Sequence, residues 1–153
     1  MRKVMVTLGA LAALTVGAHP AFAETPTLSA ILLGGNEVSS TGQANAGDQD
    51  GIGFIHVRID PAKGQACYSL RVDNLGKPTV FHIHNAKAGV NGSVVVDLVP
   101  PDSADPGSIN KCVPADPAVA EQILNQPLEF YVNFHTEEFP DGALRGQLFY
   151  RRF

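Results

Sequence analysis

Cysteine is scarce in this chain: there are two in 153 residues, Cys67 and Cys112. Neither has the close second cysteine that structural zinc motifs use, which excludes a finger or ribbon. The G-x-S-x-G nucleophile turn, the P-loop and the dinucleotide fingerprint are all missing, so the common hydrolase and nucleotide-binding classes are excluded. Asp102, Asp105, Asp116, Glu137, Glu138 and Asp141 are carboxylates without EF-hand spacing, and their expected role is to solvate loops. After the first two dozen residues no apolar run is long enough to cross a bilayer. The formal net charge of −4 argues against nucleic acid or an anionic membrane surface as partner.

The first two dozen residues read as a targeting segment. Arg2 and Lys3 form a basic start, Val4 to Gly17 form a largely apolar stretch, and Ala21-Phe22-Ala23 is an A-x-A cleavage signal. Residues 1–23 are therefore expected to be a signal peptide, cut between Ala23 and Glu24, with residues 24–153 as one exported domain, periplasmic or secreted. In an oxidising compartment Cys67 and Cys112 are expected to form one disulfide, rather than two free thiols or part of a Cys–His metal site.

The mature part is patterned for an antiparallel all-β domain. Apolar and polar residues alternate in short runs separated by Gly, Pro, Asn and Asp. Expected strands are Leu28–Leu33, Ile52–Asp60, Ala66–Val72, Val80–His84, Ser93–Val99, Glu129–His135 and Ala143–Tyr150. Polar, Gly-rich Ser39–Asp50 reads as a flexible loop. The connection Pro100–Pro127 reads as long and irregular, with one short helix that starts at the cap residue Asp116 and has Pro117 at its first position.

Two residues apart on a strand means one face. In "FHIH", Phe81 and Ile83 face one side while His82 and His84 face the other, close enough for two imidazoles to meet on one ion. In "LEFYVNFH" the core face is Leu128, Phe130, Val132 and Phe134, which leaves Tyr131, Asn133 and His135 on the outer face. In "GALRGQLFY", Leu144, Leu148 and Tyr150 face inward and Arg145 and Gln147 outward. The turn Thr136–Gly142 makes these last two runs a hairpin. If residues 80–84 lie alongside, His82, His84, His135, Asn133 and Arg145 form one polar cluster. His56 alternates with Ile55, Val57 and Ile59 and is expected to face solvent outside that cluster.

Three of these stretches, "AILLGGNEV" at Ala30–Val38, "FHIHNAKAGVNGSVVVDL" at Phe81–Leu98 and "YVNFHTEEFPDGALRGQL" at Tyr131–Leu148, resemble a CHRD (chordin-type) domain, the kind found in exported bacterial proteins. The chordin-type pattern has Glu where this chain has Ala143, which removes one partner for Arg145. The resemblance implies an immunoglobulin-like, superoxide dismutase-like Greek-key β-sandwich. In the Cu,Zn dismutases a His-x-His pair, a bridging His and a late His hold the metals, and an Arg guides the anion. Here His82 and His84 resemble the pair, His135 the late histidine and Arg145 the arginine, but "NAKAGVNGSVVV" offers no bridging His and no zinc loop. Dismutase catalysis is therefore not expected, and no catalytic residue is assigned.

Two functional expectations follow. The first is a mononuclear Cu or Zn module held by His82, His84 and His135, with Arg145, Asn133 and Tyr131 as supporting or ligand-guiding residues. The second is a metal-free extracellular or structural module that binds a protein or glycan.

Overall fold

Alternation alone explains most of the sheet. The computed structural model describes residues 26–151, so the expected signal peptide 1–23 and its cleavage point Ala23–Glu24 lie outside the described residues. In chain order the elements are β1 Thr27–Leu33, β2 Ile52–Asp60, β3 Gln65–Asp73, β4 Pro78–Asn85, β5 Ser93–Leu98, β6 Gly107–Pro114, α1 Pro117–Asn125, β7 Phe130–Thr136, β8 Leu144–Gln147 and β9 Phe149–Tyr150. Along β2 every second residue is buried, with Gly53, Ile55, Val57 and Ile59 inward and Phe54, His56 and Arg58 outward. His56 thus faces solvent as expected, its Nδ1 2.8 Å from Ser29 Oγ.

All the pairings are antiparallel, and the strand order is β5-β4-β7-β8-β1-β2-β3-β6, with β9 beside β1. Because β3 pairs with β6 and β4 with β7, the connections cross between the two halves in Greek-key fashion. The sheet folds over so that its two ends approach. Tyr68 of β3 donates its hydroxyl to Val99 O at 2.7 Å and accepts from Val99 N at 2.8 Å, just past β5. Between the halves lie Leu28, Ile55, Val57, Ile83, Val132 and Leu144, all 0% exposed. Phe81 bridges Tyr68 and Phe134, at ring distances of 5.9 and 5.4 Å. The all-β sandwich expected from the pattern is the fold observed.

Three details depart from the sequence reading. Gly107–Pro114 is a strand, not an irregular stretch, and it pairs with all but the last residue of β3. Its own pattern is mostly exposed. As an edge strand it owes its conformation to the β3 ladder and to the Cys67–Cys112 disulfide, which sits directly across that pair. The second departure is at Leu148, where the last strand breaks. Leu144 and Leu148 are buried as expected, but Tyr150 is 39% exposed, although β9 continues beside β1, the strand that β8 also pairs. The third is the segment 39–50, which is anchored at both ends: Asn91 Nδ2 donates to Val38 O and Ser39 O, and Asp48 N to Ala143 O.

The short helix forms where expected. The Asp116 carboxylate accepts from Ala118 N and Val119 N, with Pro117 at the first position. Such a cap contributes about 1 kcal/mol.

Candidate metal centre

The site is built by register. β4 lies between β5 and β7, so His82 stands opposite Asn133 on one side and Asp97 on the other, while His84 stands opposite Tyr131. β7 and β8 form the expected hairpin, which places Asn133 opposite Arg145. On β5, Ile83 pairs with Val96 but His84 with Val94. This one-residue bulge is a common device for re-aiming a side chain beside a functional site.

His135 arrives on the same face. The His82 ring is 5.5 Å from both His84 and His135, edge to face in each case. One ring nitrogen from each of the three lies within 4.8 Å of the others. A tetrahedral ion with metal–nitrogen bonds of about 2.0–2.1 Å holds its nitrogens about 3.4 Å apart, so closing the set takes side-chain rotation on the order of 1 Å.

The hydrogen bonds decide which nitrogens are free. His84 Nδ1 lies 3.0 Å from Gly92 O and His135 Nδ1 lies 2.9 Å from Pro140 O. A carbonyl only accepts, so both Nδ1 atoms carry the proton and both Nε2 atoms present a lone pair. His82 is turned the other way, with Nε2 3.7 Å from Asp97 Oδ1. The remaining nitrogens, His82 Nδ1, His84 Nε2 and His135 Nε2, are buried and unpartnered. One nitrogen fixed by a carbonyl or carboxylate and the other left bare is the usual arrangement of a metal-ligating histidine. His84 and His135 are such rings, and with the bare His82 Nδ1 beside them they make a donor set of the kind Zn and Cu take.

Only five buried side-chain polar atoms lack a hydrogen-bond partner among the described residues. The two besides the ring nitrogens are Asn133 Oδ1 and Glu37 Oε2, and both residues border the site. Glu37 is 1% exposed and Asn133 3%. Both crowd Gly142, whose φ of +140° belongs to glycine and where a Cβ would collide with the Glu37 carboxylate.

The expected outer face is therefore not on the surface. Tyr131, Asn133, His135 and Arg145 are all buried: the loop 86–92 covers Arg145 and Tyr131, Glu37 lies beside Asn133, and Pro140 lies against His135. Arg145 is 1% exposed and committed to that loop: Nη1 donates to Asn91 Oδ1 at 3.1 Å, and Nη2 to Lys87 O at 2.9 Å and Val90 O at 2.7 Å. Its guanidinium lies 3.4 Å above the Tyr131 ring centre, and Tyr131 stacks on His84 at 4.7 Å. The sequence reading missed Glu37 and Asn91. A glutamate after Gly-Gly and an asparagine in a polar loop carry no local sign that they will be buried against an arginine.

Burial sets the protonation states. Desolvation pushes His82 below the ordinary imidazole value, His135 pushes it further, and Asp97 opposes both. Desolvation also lowers His84, against the Gly92 carbonyl and with help from His82, His135 and Arg145. The Glu37 carboxyl is raised, first by desolvation, while Val38 N and Arg145 act against it.

The depressed histidines mean that the unfolded chain binds more protons below about pH 6.5. The stability they contribute is full above that value and falls as the solution is acidified through their folded-state pKa values. Glu37, being raised, acts in the opposite sense from its own lower range upward. Comparing wild type with His84→Gln isolates the histidine effect. In metal-free buffer the melting temperature of wild type should drop more between pH 7.5 and 5.5 than that of His84→Gln. Parallel curves would contradict the assignment of a neutral buried His84.

Residues 28–148 match the family model for the CHRD domain. Neither the curated proteins nor the solved structures give a significant match.

Proposed function

Because this chain belongs to the CHRD-domain family, we propose that it is an exported member whose folded domain, residues 24–153, binds a single Cu or Zn ion through His82, His84 and His135. The observation that carries this reading is the trio of bare, buried ring nitrogens, each on a ring whose other nitrogen is held by a carbonyl or faces a carboxylate. Leaving three such atoms buried and unpaired costs about 1–3 kcal/mol each, and an ion removes that cost. The Cys67–Cys112 disulfide fits an oxidising compartment. No helix among the described residues is long and apolar enough to cross a membrane.

The roles of the neighbours follow from their contacts. Arg145 holds the loop 86–92, and that loop supplies the Gly92 carbonyl that orients His84. The Tyr131 hydroxyl accepts from Gly92 N at 3.2 Å and its ring carries His84. Arg145 and Tyr131 act as positioning residues. An ion held by three nitrogens keeps a position open for water or a small ligand, which reaches it past the partly exposed His82.

The test is direct. Full-length protein without a histidine tag should retain about one equivalent of Cu(II) or Zn(II) after dialysis. Its melting temperature should rise with the metal and fall back on chelation, because an ion bound only by the folded state stabilises by about 2.7 kcal/mol at a hundredfold excess over Kd. His84→Ala should lose both the metal and the shift. Failure of the wild type to retain either metal, with melting indifferent to chelator, would discard the metal reading and leave the metal-free interaction module.

A further inference from the structure

The outer surface of β1, β2, β3 and β6, on the other half of the sheet from the histidines, bears three cross-strand rows. Thr27, Arg58, Cys67 and Cys112 form the first; Ser29, His56, Ser69 and Asn110 the second; Ile31, Phe54, Arg71 and Ser108 the third. The arginines among the described residues divide cleanly. Arg145 is buried, while Arg58, Arg71 and Arg151 all line this face, Arg151 lying 3.5 Å from His56 Nε2. This concentration runs against the net charge of −4. The acids of the face sit at its two ends: Asp60, bound to Lys63 at 2.9 Å, and Asp73 beyond Arg71.

Two grooves of about 440 and 400 Å³ cross this face and share His56, Ser69 and Asn110 as lining, so they form one trough. Arg71 stands at one end, Arg58 and Arg151 at the other. Arg58 and Arg71 are two rows apart, four residues along the strands, or about 14 Å. The Arg71 side chain makes no hydrogen bond or ion pair among the described residues, and the Arg58 side chain spends only its Nε, on Thr27 Oγ1 at 3.2 Å. The planar donor forks they leave free match carboxylate and sulfate oxygens. Beside Arg71, Phe54 is 48% exposed and Ile31 46%, an apolar platform in an otherwise polar trough.

From this arrangement we infer that the β1-β2-β3-β6 face is a binding surface for a linear acidic polysaccharide. Its carboxylate or sulfate groups meet Arg58 and Arg71, and a sugar ring lies on Phe54. Charge complementarity selects an anionic occupant. An open trough with cations at both ends fits an extended chain better than an enclosed small molecule. Hydroxyl and amide groups on the floor (Ser69, Asn110) suit sugar hydroxyls, while the acidic remainder of the protein disfavours nucleic acid. The inference is independent of the metal reading.

The experiment measures binding of the full chain to polygalacturonate (carboxylate arm), heparin (sulfate arm), neutral dextran and single-stranded DNA at several salt concentrations. At least one acidic glycan should bind, more weakly as salt rises, and dextran should not. Arg58→Ala/Arg71→Ala should weaken that binding about tenfold or more, with melting temperature and metal uptake unchanged because both residues project into solvent. Phe54→Ala should weaken it without changing the salt dependence. Absence of binding to both glycans at low salt, binding indifferent to the double substitution, DNA bound as tightly as the glycan, or self-association that the double substitution abolishes would each overturn the inference.

Discussion

Replacing Arg145 with methionine is expected to cost about 3–5 kcal/mol of stability, a large share of the 5–15 kcal/mol that holds a domain of this size together. The stem keeps most of the volume, so the loss is electrostatic. Asn91 Oδ1, Lys87 O and Val90 O lose their donor, Tyr131 loses the cation on its face, and buried Glu37 loses its positive neighbour. The effect should reach the histidines as well, because the released loop carries Gly92, whose carbonyl orients His84. Loss of such a supporting contact lowers metal affinity about 10–100-fold. Arg145→Lys keeps the charge but cannot span three acceptors with a planar fork, so it should fall between the two. Denaturant unfolding and metal competition titrations check this. A methionine variant within about 1 kcal/mol of wild type, with unchanged metal affinity, would show that the loop holds its place without the arginine.

The disulfide should matter comparably. Cys67 and Cys112 lie directly opposite on β3 and β6, 45 residues apart in sequence. Closing a loop of that length in the unfolded chain is worth about 4 kcal/mol by chain entropy. β6 is an end strand with one hydrogen-bonded neighbour, so the crosslink also fixes the element that leads into α1. The expected result is a large fall in the denaturant midpoint for Cys67→Ser/Cys112→Ser. Wild type with reductant should match the variant, and the variant itself should not respond to reductant. Equal midpoints with and without the bond would mean that the ladder alone holds β6.

The local pattern determined a good deal. Alternation at period two places β1 to β5 and β7 nearly to the residue, because each strand's inward and outward faces are written within its own few residues. Asp116 and Pro117 mark the helix start, since capping is a contact between neighbours in sequence. The facing of His82 with His84, and of Tyr131 with Asn133 and His135, follows from the same alternation. The family resemblance extends over the stretches that the CHRD family model then matched.

What lay beyond local reach has one physical reason. β6 is polar on its own terms and becomes a strand because β3 and a disulfide 45 residues back define it. The histidine cluster needs β4 to lie against β7, a pairing set by the packing of Phe81 and Phe134 in the core. Whether the face bearing Arg145 meets water was decided by Glu37 and by the loop 86–92 folding over it. Which imidazole nitrogen is bare was decided by carbonyls at Gly92 and Pro140. Sequence periodicity tells a side chain which way to point; only long-range packing decides what it meets there.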